Sequence, residues 1–278
     1  MEYSNNDLAQ LHSELTDILR EIVRICELLK IDYFIQGGTA IGAFYNNGII
    51  PWDDDIDIGM TRENYSRFIK EAPSVINQNY FVQCFETEPD TPFYFVKVRK
   101  NHTLFLEEPY KNLNIHHGIF VDIFPYDNVP DSAIKEKIHR RIVNYFDGCF
   151  KRSLLMECVR ESVPSFLRPI SGFISKIWFS LLQIVPRKWI YASLCKVQSW
   201  YNANTCKYVS IVKMPMDQIA SKDVLSLKDV IFEGIVVKEP NNVEVYLRHH
   251  YPHLQPVPPK EYQVNHAPLK LMFSNDGQ

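Results

Sequence analysis

No two cysteines in this 278-residue chain are spaced as CxxC. None of the six (Cys26, Cys84, Cys149, Cys158, Cys195, Cys206) falls into a Cys/His ligand rhythm. Both a zinc site and a disulfide framework are therefore excluded as readings. Positive charge is not in excess: the formal net charge is −3, so the broad basic field of a nucleic-acid binder is missing and no nucleic-acid partner is expected. The opening MEYSNNDLAQ lacks the basic-then-apolar order of a secretory leader. With unpaired cysteines, that makes a reducing, cytoplasmic compartment the expectation. No internal repeat, low-complexity tract or flexible linker interrupts the chain. What is there is 46% hydrophobic and 13% aromatic, enough for a sizeable core.

Apolar residues recur at helical spacing from Leu8 to Leu29, which predicts an amphipathic helix over about residues 5–30. A short strand candidate, Ile31 to Ile35, stops at Gly37-Gly38, and a helix over Thr39 to Phe44 would follow, broken at Asn46-Asn47-Gly48. After an acidic stretch, TRENYSRFIK reads as a helix with Thr61 as its N-cap. Strands are expected at Tyr80–Phe85, Phe93–Arg99, Thr103–Leu106 and Ile119–Phe124. Beyond Pro130 the texture turns helical to about residue 202, broken at Pro164, Pro169 and Pro186. Short strands near Tyr208–Val212 and Val230–Val237 and a helix near Val243–His250 complete the pattern. The fold class is α+β: a mixed-sheet core over 1–130, with a helical and mixed part over 131–278 packed upon it across a soft boundary.

The acids in PWDDDIDIGM carry the chemistry. Read as a strand, Asp55-Ile56-Asp57-Ile58 puts two carboxylates on one face and two isoleucines in the core. Carboxylates that close repel, and one takes up a proton unless a cation lies between them. Oxygen ligands without nearby His or Cys suit Mg²⁺, Mn²⁺ or Ca²⁺. An EF-hand loop starting at Asp53 would need glycine at position 58 and glutamate at position 64, which hold Ile58 and Asn64. A further acid, Asp122, lies inside the apolar strand Ile119–Phe124. Placed beside the first strand, it would make a third ligand able to serve in-line phosphoryl transfer. The Gln36-Gly37-Gly38-Thr39 turn lets a phosphate approach the backbone at a helix N-terminus. Asp53 stands at the edge of this cluster. Asp54, pointing to the other face, is the acid expected to matter least.

Together, DYFIQGGTAIGAFYNNGIIPWDDDIDIGMTRENYSRF, FVKVRKNHTLF and HHGIFVDIFPYDNVP resemble the LicD family, built on the nucleotidyltransferase superfold. The resemblance implies a phospho-alcohol transferase that takes, for example, phosphocholine from a CDP-activated donor to a cell-surface glycan. It further implies Asp55, Asp57 and Asp122 as catalytic metal carboxylates for Mg²⁺ or Mn²⁺, with Asp53 beside them. Gly37, Gly38 and Thr39 would form the substrate turn, Lys97 and Arg99 would meet the donor diphosphate, and His266 would close the C-terminal side. Departures are Ala40-Ile41 in place of a leucine pair, and the segment Tyr246 to Pro252 in place of tyrosine-glycine-aspartate. Tyr262 or Gln263 also stands where an arginine is usual.

Rival readings are a nucleotidyltransferase attacking the nucleotide α-phosphorus, a D-x-D glycosyltransferase, and a non-catalytic binding relic. Residues 170–185 are too short for a membrane span, which needs about twenty apolar residues. A buried helix is the preferred reading there. An interfacial helix touching the membrane near a lipid-linked glycan acceptor is the second.

Overall fold

In the computed structural model, residues 3–155, 176–214, 218–251, 254–260, 263 and 265–274 are described. The first helix, α1 (Asn5–Leu29), starts from a capping box in which the Ser4 hydroxyl accepts from the Asp7 amide at 3.1 Å and Asp7 accepts from the Ser4 amide at 3.1 Å. Leu11, Leu15, Ile18, Leu19 and Ile22 line its buried stripe. It ends at Lys30 in the left-handed conformation.

The strands are β1 (Phe34–Ile35), β2 (Asp57–Thr61), β3 (Tyr80–Gln83), β4 (Val96–Lys100), β5 (Leu104–Leu106) and β6 (Phe120–Val129). After them come β7 (Tyr208–Ser210), β8 (Ile219–Ala220), β9 (Lys228–Phe232), β10 (Ile235–Glu239) and β11 (Lys270–Met272). The main sheet runs β1-β2-β6-β4-β3, and β7 joins β6 at its far end with β8 outside it. β2 and β6 are parallel, whereas β1–β2, β6–β4 and β4–β3 are antiparallel. Ile56, Ile58, Met60, Val121 and Ile123 are fully buried, which fixes the register, because a one-residue slip would turn them outward.

The helices that matter for the site are α2 (Gly37–Asn46), α3 (Arg62–Glu71), α4 (Ala133–Arg152), α5 (Arg187–Gln198), a single turn α6 (Ser221–Val224) and α7 (Val243–His250). Helix α2 starts two residues earlier than the composition predicts and stops at Asn47, again left-handed. Its exit is pinned by the β9–β10 hairpin turn, where Glu233 donates its amide to Asn47 O at 2.9 Å and accepts the Ile49 amide at 2.9 Å. Helix α3 starts after Thr61, as expected, but the Thr61 hydroxyl makes no cap; it accepts instead from Asn64 at 3.2 Å.

Two strand readings are corrected. The strand expected from Asp55 begins only at Asp57, so Asp55 sits in the extended segment leading into it. Strand β6 does not stop at Phe124 but runs to Val129 and carries Asp127 in its interior. Asp127 is buried and paired with Arg62, whose Nε donates to it at 2.8 Å, with Asn202 donating at 2.6 Å. That partnership, absent from the local sequence, is what lets an acid lie so deep.

The helical stretch expected between 131 and 202 is present as α4, residues 176–182 and α5. Positions 170–175 of the proposed interfacial segment lie outside the described residues. No helix among those described is long and apolar enough to cross a membrane.

Candidate active site

The parallel register sets Asp57 of β2 directly beside Asp122 of β6, and the next strand places Lys97 of β4 opposite Asp122. The ladder reaches one residue further back, where the Asp122 amide donates to Ile56 O at 3.0 Å. Asp57, Asp122 and Lys97 thus lie across three adjacent strands, and the sequence-predicted third acid arrives where the strand argument put it. Lys97 Nζ donates to Asp122 Oδ2 at 3.1 Å and lies 3.0 Å from Oδ1, and the same ammonium is 3.9 Å from Glu107. It also sits 3.3 Å from the ring centroid of Phe120 and 4.6 Å from that of Phe93.

Arg99 is 0% exposed and lies behind Lys97. Its Nη1 donates to Gly118 O at 2.7 Å, its Nε bonds Gln83, and its Nη2 is 3.6 Å from Glu107. The structure therefore gives the two predicted cations different places: Lys97 touches the acid cluster, and Arg99 braces the wall through Glu107.

The glycine turn faces the acids. Gly37 has φ +55°, a conformation glycine adopts freely, and a Cβ built on it would stand 3.6 Å from Asp57 Oδ2 and 3.8 Å from the Tyr251 hydroxyl. A Cβ on Gly38 would fall 2.6 Å from Asp53 Oδ2, so the Asp53 carboxylate would have to shift to admit one. The turn is held from three sides. Gly37 donates its amide to the Tyr246 hydroxyl of α7 at 3.0 Å, the Thr39 hydroxyl accepts the Asp57 amide at 2.8 Å, and Tyr126 bonds the Gln36 side chain. Thr39 thus ties the turn to the acid strand.

Charge in the cluster is under-compensated. Burial, and then Asp55 and Asp54, push the Asp53 carboxyl up to about 8. Burial followed by Asp54 raises Asp55, while His266 and Lys97 pull it back. Burial raises Asp122 to about 6 against the pull of Lys97. Asp122 Oδ1 is buried, and the Lys97 ammonium lies 3.0 Å from it. Crowded acids of raised affinity for protons are what an oxygen-seeking divalent ion would relieve.

One expectation is reversed. Asp54 is 2% exposed, and both its oxygens are engaged: the Tyr3 hydroxyl donates at 2.7 Å, and the His266 amide lies 2.9 and 3.0 Å from the two of them. Burial and this carboxylate raise the Tyr3 hydroxyl far above its ordinary value. Among the described residues, Asp54, Asp55 and His266 are the group whose ligand atoms all lie within 4.8 Å of one another. Asp54 is already engaged by Tyr3 and His266, and the His266 side chain is 79% exposed; among the described residues no group of three that includes Asp57 or Asp122 draws its ligand atoms this close. The role of Asp54 is to fasten both ends of the described chain over the cluster. Its partners stand far off in sequence, so no local pattern announces it; the same holds for Glu107 and Tyr246.

Residues 30–158 match the family LicD/FKTN/FKRP, nucleotidyltransferase domain. The stretch holding the glycine turn and all the acids thus matches a LicD-family domain, as the sequence resemblance implies, and the class is that of a phosphotransferase. Among individual proteins, the chain is similar to the lipopolysaccharide cholinephosphotransferase LicD of Haemophilus influenzae, with 29% identity over 266 residues covering 90% of this chain and 92% of the relative. It is also similar to the ribitol 5-phosphate transferase FKRP of mouse, 30% identical over 97 residues (34% of this chain, 19% of that protein), and of human at 29% over the same length and shares.

Proposed function

We propose that this protein moves a phospho-alcohol, such as phosphocholine, from a CDP-activated donor to a hydroxyl of a cell-surface or lipid-linked glycan, releasing CMP. The observation that carries the reading is the meeting of the Gly37-Gly38 turn with Asp53 and Asp57, which sets a phosphate-sized approach to bare backbone against a bank of carboxylates. Asp55, Asp57 and Asp122, with Asp53 at the edge, would hold Mg²⁺ or Mn²⁺. When bound, such an ion supplies the positive charge that offsets the donor diphosphate.

The chain's own residues do the rest. Backbone amides in the first turn of α2 after Gly37, whose own amide is held by Tyr246, receive the diphosphate, with Thr39 keeping the turn in register with Asp57. Lys97 lies against both oxygens of Asp122 and holds the carboxylate in place, and Asp122, whose proton affinity burial raises, takes the acceptor's proton. As the acceptor oxygen bonds the distal phosphorus, the bond from that phosphorus to the CMP oxygen breaks and CMP departs as the anion. His266, beside Asp55, lines the exposed side where an acceptor would enter.

Phosphorus NMR of a reaction with CDP-choline, Mg²⁺ and a glycan acceptor tests this. CMP and a new phosphodiester are expected. Free phosphocholine with CMP joined to the acceptor would point to attack at the nucleotide α-phosphorus, and turnover only with a nucleotide sugar to glycosyl transfer. Asp57→Asn should cut transfer by about 100-fold or more with the melting temperature held; a fully active variant would remove the acid cluster from the mechanism.

A further inference from the structure

Between Glu161 and Asp217 the sequence contains no aspartate or glutamate, although acids outnumber Lys and Arg by 33 to 30 in the whole chain. The same stretch carries Lys176, Arg187, Lys188 and Lys196. Its described part is amphipathic in three dimensions. On the inner side, Trp178 meets Tyr145 of α4 with ring centroids 6.3 Å apart, and Leu182 is buried. Gln183 donates to Ser153 O at 3.0 Å. Arg187 donates to the Ser153 hydroxyl at 3.0 Å and to Thr91 O at 2.6 Å.

On the outer side, Ile177, Leu181 and Ile184 stand at i, i+4 and i+7, exposed by 47%, 50% and 78%. Trp189, in the first turn of α5, is 63% exposed beside Lys188. Single exposed apolar residues are ordinary. A stripe of them ending in a tryptophan, with exposed lysines at both ends and no acid in the stretch, is the pattern of a helix lying in a lipid interface. A protein partner fits less well, because protein interfaces are depleted of lysine.

We infer that residues 176–189 dock this protein onto an anionic lipid surface, with Ile177, Leu181, Ile184 and Trp189 entering the headgroup layer and Lys176 and Lys188 facing lipid phosphates. The docking face is joined to the site: Arg187 grips Thr91, two residues before Phe93, whose ring lies under Lys97. The attachment is a property of this surface and stands or falls without the transfer reaction.

Flotation of the full chain with vesicles of phosphatidylcholine and phosphatidylglycerol, or of phosphatidylcholine alone, tests it. The chain should float with the anionic vesicles and about tenfold less with the neutral ones. Ile184→Glu/Trp189→Glu should lose at least about tenfold of the binding, with unchanged melting temperature and unchanged CMP release to a soluble acceptor. Should that variant fail to fold, Lys176→Glu/Lys188→Glu carries the same comparison. No flotation of the parent chain, or equal flotation of the variants, overturns the inference. So does a dimer by light scattering that Ile184→Glu/Trp189→Glu dissolves, since the face then belongs to a second copy.

Discussion

Asp53, Asp55 and Asp122 all hold their protons more tightly in the folded chain than the ordinary aspartate value of 3.8, because burial and neighbouring acids disfavour the ionised forms. The sign of the consequence is fixed. A carboxyl raised on folding contributes stability below its unfolded value and loses it as pH climbs through the folded one. The window here runs from 3.8 past about 6 for Asp122 to about 8 for Asp53. Melting temperatures of EDTA-treated protein are expected to fall across it, and millimolar Mg²⁺ to flatten the fall. Identical slopes with and without the ion would deny the cluster its cation. At this scale the sequence was informative where alternation ruled: Asp57 and Asp122 needed only strand texture and a parallel neighbour. It was misleading at Asp54, where the same alternation turned a carboxylate away from the cluster and hid that it serves the cluster by holding other segments.

Three segments distant in sequence meet at Asp54. The residues before α1 contribute the Tyr3 hydroxyl, the segment before β11 contributes the His266 amide, and β11 itself pairs with β5. Hydrogen bonds to a charged group contribute about 1.5–3 kcal/mol. Asp54→Ala should therefore cost stability on that scale, and it should speed amide exchange around His266 and at the start of α1 while leaving β2 and β6 protected. Unchanged exchange in both segments would mean the carboxylate fastens nothing. Helix and strand identities were legible from periodicity, including α1, α3, α7 and the run of short strands. The start of β2 was not, because Asp55 has the alternation of a strand residue without a ladder partner, and neither was the length of β6, because Asp127 looks like a turn until Arg62 is seen beside it.

Across the whole molecule, the boundary drawn near residue 130 is crossed repeatedly. β7 extends the sheet along Asp127 to Val129, α7 holds Gly37 through Tyr246, and Asn202 and Gln198 help to satisfy the Arg62–Asp127 pair. Residues 1–130 alone would expose the far edge of β6 and leave a buried charge pair part-solvated. That fragment is expected to show no cooperative thermal transition by circular dichroism; a sharp one would establish the core as separable. The α+β class and the change of texture at Pro130 were readable from the chain, since composition shifts there. The interlock was not, because each bond across it joins residues far apart in sequence.

The His266 amide reaches Asp54 across a separation of 212 residues. Contacts that distant close late, after the loop entropy between them has been overcome. On the ribosome, the glycine turn, Asp57 and Asp122 all emerge before His266, so the fastening at Asp54 follows them. The fastening at Asp54 is therefore completed only after the glycine turn and the strands beside it have all been made.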